Sequence, residues 1–276
     1  MGDQVANGSE ITLTYVKDDE QTKTLTYTVK HTIEGVEQTD YTKSYTETVW
    51  VNAGNKLAVQ KDSIAEKNFT GYKFDSITPN VKEGAKVTSG TTIVLNYVKD
   101  DSQTQETKYV VKHVVDGEEK VKDRGTYKGT AWVNDVNPQI TIKTGSLAPK
   151  TYPGYKYVSI NPDVNDGDQV ASGSEIVLTY VKDDEQTKTL KYTVKHTLEG
   201  TEQADYTKSY TATVWVNDAD TLSVTAESIA EKNFTGYKFA SISPEGMTGG
   251  TVVENGTVIV LNYVKDDSQT QKTRYT

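Results

Sequence analysis

Between Leu25 and Ile33 the chain reads LTYTVKHTI, and its apolar positions fall on every second residue. Leu25, Tyr27, Val29, His31 and Ile33 share one face, with Thr or Lys on the other. A period of two predicts a half-buried strand. The pattern returns with Tyr109, Val111, His113 and Val115. Glu34-Gly35 follows the first copy and Asp116-Gly117 the second, a composition that suggests a hairpin turn. A second alternating stretch, Tyr41 to Val51, sets Tyr41, Tyr45, Val49 and Val51 against Thr42, Ser44, Thr46, Thr48 and Trp50. In the later copy Tyr127, Ala131 and Val133 oppose Arg124, Thr126, Lys128, Thr130 and Trp132. This parity aims the tryptophan away from the core.

Ser63 followed by Glu66 has the spacing of a helix capping box, which predicts one or two helical turns ending before Gly71. The later copy carries Pro149 and Pro153 here, which favour a loop. A strand over 71–77 and a Gly-rich turn region near Gly84 and Gly90 come next. The stretch TTIVLNYV, 91–98, is apolar on both faces, with Ile93, Leu95 and Tyr97 on one and Val94 and Val98 on the other. Such a strand is expected to lie centrally and to be covered on both sides.

These elements recur. YVKDD opens at Tyr15, Tyr97, Tyr180 and Tyr263, spaced 82, 83 and 83 residues apart. His31, His113 and His196 keep that beat, as do Trp50, Trp132 and Trp215, and Gly71, Gly154 and Gly236. A period this long describes an array of small domains. GDQVANGSEITLTY at 2–15 returns as GDQVASGSEIVLTY at 167–180, two periods on, so two repeat types alternate. The expected organisation is a closing strand of a partial B-type repeat at 1–15, repeat A1 at 16–98, repeat B at 99–181, repeat A2 at 182–264, and the linker of a further repeat at 265–276. The polar linker, free of Gly and Pro, favours an elongated rod.

Thr, Val and Tyr are abundant, as befits a strand-rich chain. The net charge of −9 argues against nucleic acid and anionic membrane surfaces as partners. Cysteine is absent, so the small domains must be stable without disulfides. Neither a signal peptide nor a long apolar run is seen, and the simplest reading is a segment of a longer protein whose targeting and anchoring signals lie elsewhere.

Four sets of residues are candidates for chemistry. His31, His113 and His196 lie on an apolar strand face without Cys or a second nearby His, which suits a satisfied core histidine better than catalysis or metal binding. The chain reads as a non-enzyme with no cofactor. Asp100, Asp101, Asp183 and Asp184 stand at presumed junctions, where carboxylates could gather a structural calcium or simply shape a solvated turn. Lys30 and Asn96 suit an isopeptide crosslink by strand position, but parity puts both opposite the core residues. Trp50, Trp132 and Trp215, beside Thr48, Thr130 and Thr213, make the best ligand-binding face; the plainer alternative is a tryptophan folded over a strand edge or a neighbouring domain.

The Y-x-V-x-H first strand, the F-x-G-Y-K-F element at 69–74 and the closing G-T-x-I-x-L-x-Y-V resemble the MucBP-type (mucin-binding protein) tandem repeats of Gram-positive surface proteins. The resemblance implies a β-grasp (ubiquitin-like) fold, mainly β with at most a short helix per repeat. It implies an extracellular, wall-attached adhesin, a monomeric rod with host mucosal glycoprotein as partner. Immunoglobulin binding and a passive stalk are the alternatives. The strict A-B alternation and the B-repeat prolines depart from the usual pattern, and leave open which repeat type binds.

Overall fold

The computed structural model describes residues 2–271 and 274. Three five-stranded mixed sheets follow one another along the chain, each accompanied by a two-stranded hairpin layer. The first repeat contains β1 (Thr22–Ile33), β2 (Val36–Glu37), β3 (Lys43–Trp50), β4 (Lys56–Ala58), β5 (Tyr72–Thr78), β6 (Lys86–Thr88) and β7 (Thr92–Lys99). The second contains β8 (Thr104–Val115), β9 (Glu118–Glu119), β10 (Gly125–Trp132), β11 (Gln139–Thr141), β12 (Tyr155–Asn161), β13 (Gln169–Ala171) and β14 (Glu175–Lys182). The third contains β15 (Thr187–Leu198), β16 (Thr201–Glu202), β17 (Lys208–Trp215), β18 (Thr221–Ser223), β19 (Tyr237–Ser243), β20 (Val252–Glu254) and β21 (Val258–Lys265). By Cα proximity the chain divides into two compact units, 1–108 with 128–140 and 170–172, and the remainder. That division runs through the second repeat.

The first repeat shows how the sequence makes the sheet. Glu34 and Gly35 take φ of 47° and 83°, the positive values a two-residue hairpin needs, and return the chain into β2. β3 then pairs antiparallel along β1, from Thr22 opposite Trp50 to Val29 opposite Lys43. β7 lies parallel to β1, with His31 opposite Leu95, and antiparallel to β5. The first and last strands are therefore central. Leu25, Tyr27, Val29, Ile93, Leu95 and Tyr97 form one buried face, sealed by Leu57, Val59 and Val87 from the hairpin layer. Leu190, Tyr192, Val194, Ile259, Leu261 and Tyr263 do the same in the third repeat.

Several expectations need correction. The fold is mainly β as expected, but no α-helix forms among the described residues. At the Ser63 position the first repeat has turns, and the third a 3-10 turn over Ala226–Ile229. Ser63 caps nothing, because its hydroxyl donates to the Gln60 carbonyl at 2.8 Å and accepts from the Tyr27 hydroxyl at 2.9 Å. β7 is central but covered on one side only, since Val94 and Val98 are merely half-buried. The expected closing strand at 1–15 has no ladder among the described residues. Ile11, Leu13 and Tyr15 are 69%, 72% and 88% exposed, whereas the near-identical text at Glu175–Lys182 forms β14 between β8 and β12. Pairing, not local propensity, makes that strand. At the other end, 272, 273, 275 and 276 of the expected linker lie outside the described residues.

Candidate functional site

The tryptophans point off the core, and Trp132 and Trp215 rest on the preceding repeat rather than on an open face. The Trp132 indole N–H donates to the Gly71 carbonyl at 3.0 Å. Its ring meets Tyr72 edge-on at 5.4 Å, and the Lys99 ammonium lies 5.1 Å from its centroid. Asn134 completes the contact by donating to the Thr70 carbonyl at 2.6 Å. Gly71 has φ +82°, and a Cβ there would come within 2.9 Å of Trp132 Cζ2. Trp215 repeats the arrangement, donating to Gly154 O at 3.2 Å and Asp183 O at 3.1 Å, with Asn217 on Pro153 O at 2.7 Å. Trp50 donates to Asp18 O at 3.0 Å under the Lys17 ammonium. All three tryptophans are half-buried, while Thr48, Thr130 and Thr213 beside them are exposed.

The paired aspartates make turns. Asp100 Oδ1 accepts from the Ser102 backbone N–H at 3.1 Å and hydroxyl at 2.7 Å, and Oδ2 accepts from Gln103 Nε2 at 3.0 Å. Gln103 in turn accepts from the Gly71 N–H at 2.9 Å, which ties the turn to the Trp132 socket. Asp183 and Gln186 do this for Gly154. These bonds to the ionised form hold the Asp100 and Asp183 carboxyls below the usual range. Asp101 and Asp184 pair with Lys99 and Lys182, each at 2.9 Å. Among the described residues no three His, Cys, Asp or Glu side chains are grouped to hold a metal. The suspected isopeptide partners are also engaged elsewhere: Lys30 pairs with Glu37 at 2.8 Å, and Asn96 accepts from Thr32 at 2.8 Å.

Each histidine is built into the core beside a groove. His31 is 2% exposed, and its Nδ1 lies 3.2 Å from the Tyr97 hydroxyl. That hydroxyl accepts the Lys67 backbone N–H at 2.7 Å. With the Lys67 N–H donating to that hydroxyl, we assign the hydroxyl proton to Nδ1 and the imidazole proton to Nε2. His113–Tyr180–Lys150 and His196–Tyr263–Lys232 repeat the set, the His–Tyr distances being 2.9 and 3.3 Å. Burial, and then the nearby lysine charge, hold all three imidazoles below the ordinary histidine value; Asp123 partly offsets this for His113.

The grooves at His31 and His196 are small, about 230 Å³ and 240 Å³, below the ~300–1,000 Å³ of drug-sized sites, and the groove at His113 is about 330 Å³. His31, Asp40, Tyr41, Lys43, Tyr45 and Lys67 line the first, and His196, Asp205, Tyr206, Lys208, Tyr210 and Lys232 the third. Tyr41 and Tyr206 are 44% and 43% exposed and lean edge-on against Phe69 and Phe234. In the second repeat Asp123 stands where these tyrosines do, Tyr152 replaces the phenylalanine, and Gly125 replaces Lys43. Asp123 accepts from Lys150 Nζ at 2.7 Å and from the Tyr152 hydroxyl at 2.8 Å. Sequence parity placed the histidines in the core but gave no sign of the groove. The Tyr-to-Asp difference at one repeat position was the available signal.

No protein-family model matches the chain, and no curated protein matches it. Among solved structures, domains 3-4 of the Streptococcal High Identity Repeats in Tandem (SHIRT) from a cell surface protein are similar at 18% identity with a TM-score of 0.31. That alignment covers 58% of this chain and 98% of the other. At that score the likeness carries no argument about this chain.

Proposed function

We propose that this chain is the repeat region of a non-enzymatic bacterial cell-surface adhesin that binds host mucosal glycoprotein through weak contacts multiplied along the array. One observation carries the reading. The same polar groove, with an exposed tyrosine at its rim, recurs at one place in the first and third repeats. Covalently linked weak sites gain avidity without any new contact. The resemblance of the repeats to MucBP-type sequences supports the choice of partner.

A spacer role is the second reading, and the tryptophan clamps favour it. Trp132 and Trp215 are engaged with the preceding repeat, which suits a chain built to hold its repeats in register. Binding of the whole chain to purified mucin, with pooled IgA and IgG alongside, separates these readings. Glycan-dependent retention on mucin, reduced in a Tyr41→Ala, Tyr206→Ala variant, is the expected result. Binding to antibody that survives deglycosylation would replace mucin as the partner. No binding to either would leave the spacer.

A further inference from the structure

We infer that the histidine grooves of the first and third repeats are carboxylate sites for an acidic monosaccharide, and that the second repeat supplies its own carboxylate, Asp123, to the corresponding lysine. The sugar half of this inference rests on the adhesin reading; the carboxylate half does not.

The second repeat shows what the groove holds. There a carboxylate lies against a lysine and a tyrosine hydroxyl, with Lys150 Nζ at 2.7 Å and the Tyr152 hydroxyl at 2.8 Å. It is also close enough to His113 for each to perturb the other's protonation. In the other repeats the lysine and histidine are retained while the carboxylate is missing. Lys67 and Lys232 occupy the Lys150 position, and neither forms an ion pair among the described residues. Lys43 and Lys208, on the same walls, are likewise without one; the second repeat has Gly125 there, with Lys122 and Arg124 beside it. At the floor, His31 and His196 use Nδ1 on tyrosine, which leaves an Nε2–H donor without a protein acceptor among the described residues.

Two lysines and an imidazole N–H are a donor set for one carboxylate. Concentrating cations is notable in a chain of net charge −9. The groove has acidic neighbours as well: Asp40 and Asp62 line it in the first repeat, but only Asp205 in the third. Glu66, next in the chain to Lys67, forms no ion pair with it among the described residues. Tyr41 and Tyr206, where Asp123 stands, replace the internal carboxylate with an exposed ring against which the body of a sugar can lie. The volume admits one small group.

The chain has three histidines, one per groove, so the three imidazole Cε1–H resonances report each site separately by NMR. The whole chain is titrated at pH 7.5 with glucuronate and N-acetylneuraminate, then with methyl galactoside, and with acetate and N-acetylglycine. The expected result is saturable movement of the His31 and His196 resonances with the acidic sugars, and a static His113. Affinity at a single site of this size is expected to be about millimolar. Lys67→Ala and Lys232→Ala should each silence their own groove, and Asp123→Asn should make His113 respond. Lys67 and Lys232 are exposed, and the buried histidine shifts confirm folding in each variant. No movement, equal movement of all three, or equal response to methyl galactoside would overturn the carboxylate site. Acetate or N-acetylglycine binding as well as the sugars would overturn the sugar assignment. Retention on mucin is scored separately: movement of His31 and His196 without retention would keep the site and remove the adhesin reading.

Discussion

Replacing Thr107 with valine should stabilise the second repeat. Thr107 is 1% exposed on β8, and its hydroxyl oxygen is buried without a hydrogen-bond partner among the described residues. The first and third repeats carry Leu25 and Leu190 at this position, 2% and 1% exposed. Opposite Thr107 the second repeat has Gly129, where a Cβ would lie 3.1 Å from Thr107 Oγ1 and 3.3 Å from Ile140. The hydroxyl is thus hemmed in, without an acceptor on that side. A buried unsatisfied polar group costs about 1–3 kcal/mol, and a buried methyl contributes about 0.8 kcal/mol. Valine keeps the shape and exchanges one for the other, so a gain of about 1–2 kcal/mol is expected. An array of repeats does not unfold as one two-state body, so the assay is native-state hydrogen exchange of the β8 segment. Slower exchange by about 5–30-fold in that segment is expected. Thr107→Ser, which keeps the hydroxyl and removes the methyl, should exchange faster than the parent. Unchanged or faster exchange in Thr107→Val would refute the reasoning, because it would mean the hydroxyl is well partnered.

A matched pair of glycines tests the clamp. Gly71→Ala and Gly236→Ala both place a Cβ at φ +82°, a strain of about 1–2 kcal/mol, but only Gly71 faces an indole, at 2.9 Å, while Gly236 has open space. Gly71→Ala should raise exchange at both the 70–72 and 132–134 segments, and Gly236→Ala only near itself; equal local effects would disprove the clamp. Tyr97→Phe removes the partner of both His31 Nδ1 and the Lys67 N–H, and should cost about 2–4 kcal/mol in the first repeat by the same exchange measurement. Acid should destabilise the repeats before any carboxylate titrates. Each imidazole is held below 6.5 when folded, so the unfolded chain takes the extra proton first. Stability is full above about pH 6.5 and declines as the pH falls towards the folded value. A His31→Gln variant should flatten that decline in the first repeat alone, as denaturant melts between pH 7.5 and 5 would show.

The strands were legible because their faces differ in polarity at a period of two, and β1, β3 and β7 fall where that pattern puts them. What the pattern does not carry is the identity of long-range partners. Parity turned Trp132 away from the core, yet its seat is Gly71, 61 residues earlier, and only the shared beat of the Gly-Tyr-Lys and Trp-Val-Asn elements hinted at it. The Ser63–Glu66 spacing suggested a cap, but spacing cannot register that the Tyr27 hydroxyl reaches the serine from β1. The aspartate pairs were readable as turns from composition, since Asp commonly bonds its own backbone two residues on, and Asp100 does so with Ser102.

The alternation of repeat types takes on physical meaning through a few positions. Leu25 becomes Thr107, Tyr41 becomes Asp123, Lys43 becomes Gly125 and Phe69 becomes Tyr152. The Asp123 and Tyr152 changes only work together. An aspartate at 123 beside a phenylalanine would keep the lysine bond and lose the hydroxyl, while a tyrosine at 69 beside Tyr41 would have no carboxylate to receive its hydroxyl. The Asp123–Lys150 pair is largely solvent-accessible, with side chains 30% and 45% exposed, so its contribution to stability is small. The cost of leaving Lys67 and Lys232 without a carboxylate is correspondingly small. A repeat can therefore keep its lysine unpaired and its groove open without endangering the fold, and a single pair of substitutions can close it. If so, Tyr41→Asp with Phe69→Tyr should transplant the closed state: His31 should move towards the chemical shift of His113 and cease to respond to acidic sugars. A His31 resonance still responsive in that double variant would show that the grooves differ by more than these two residues.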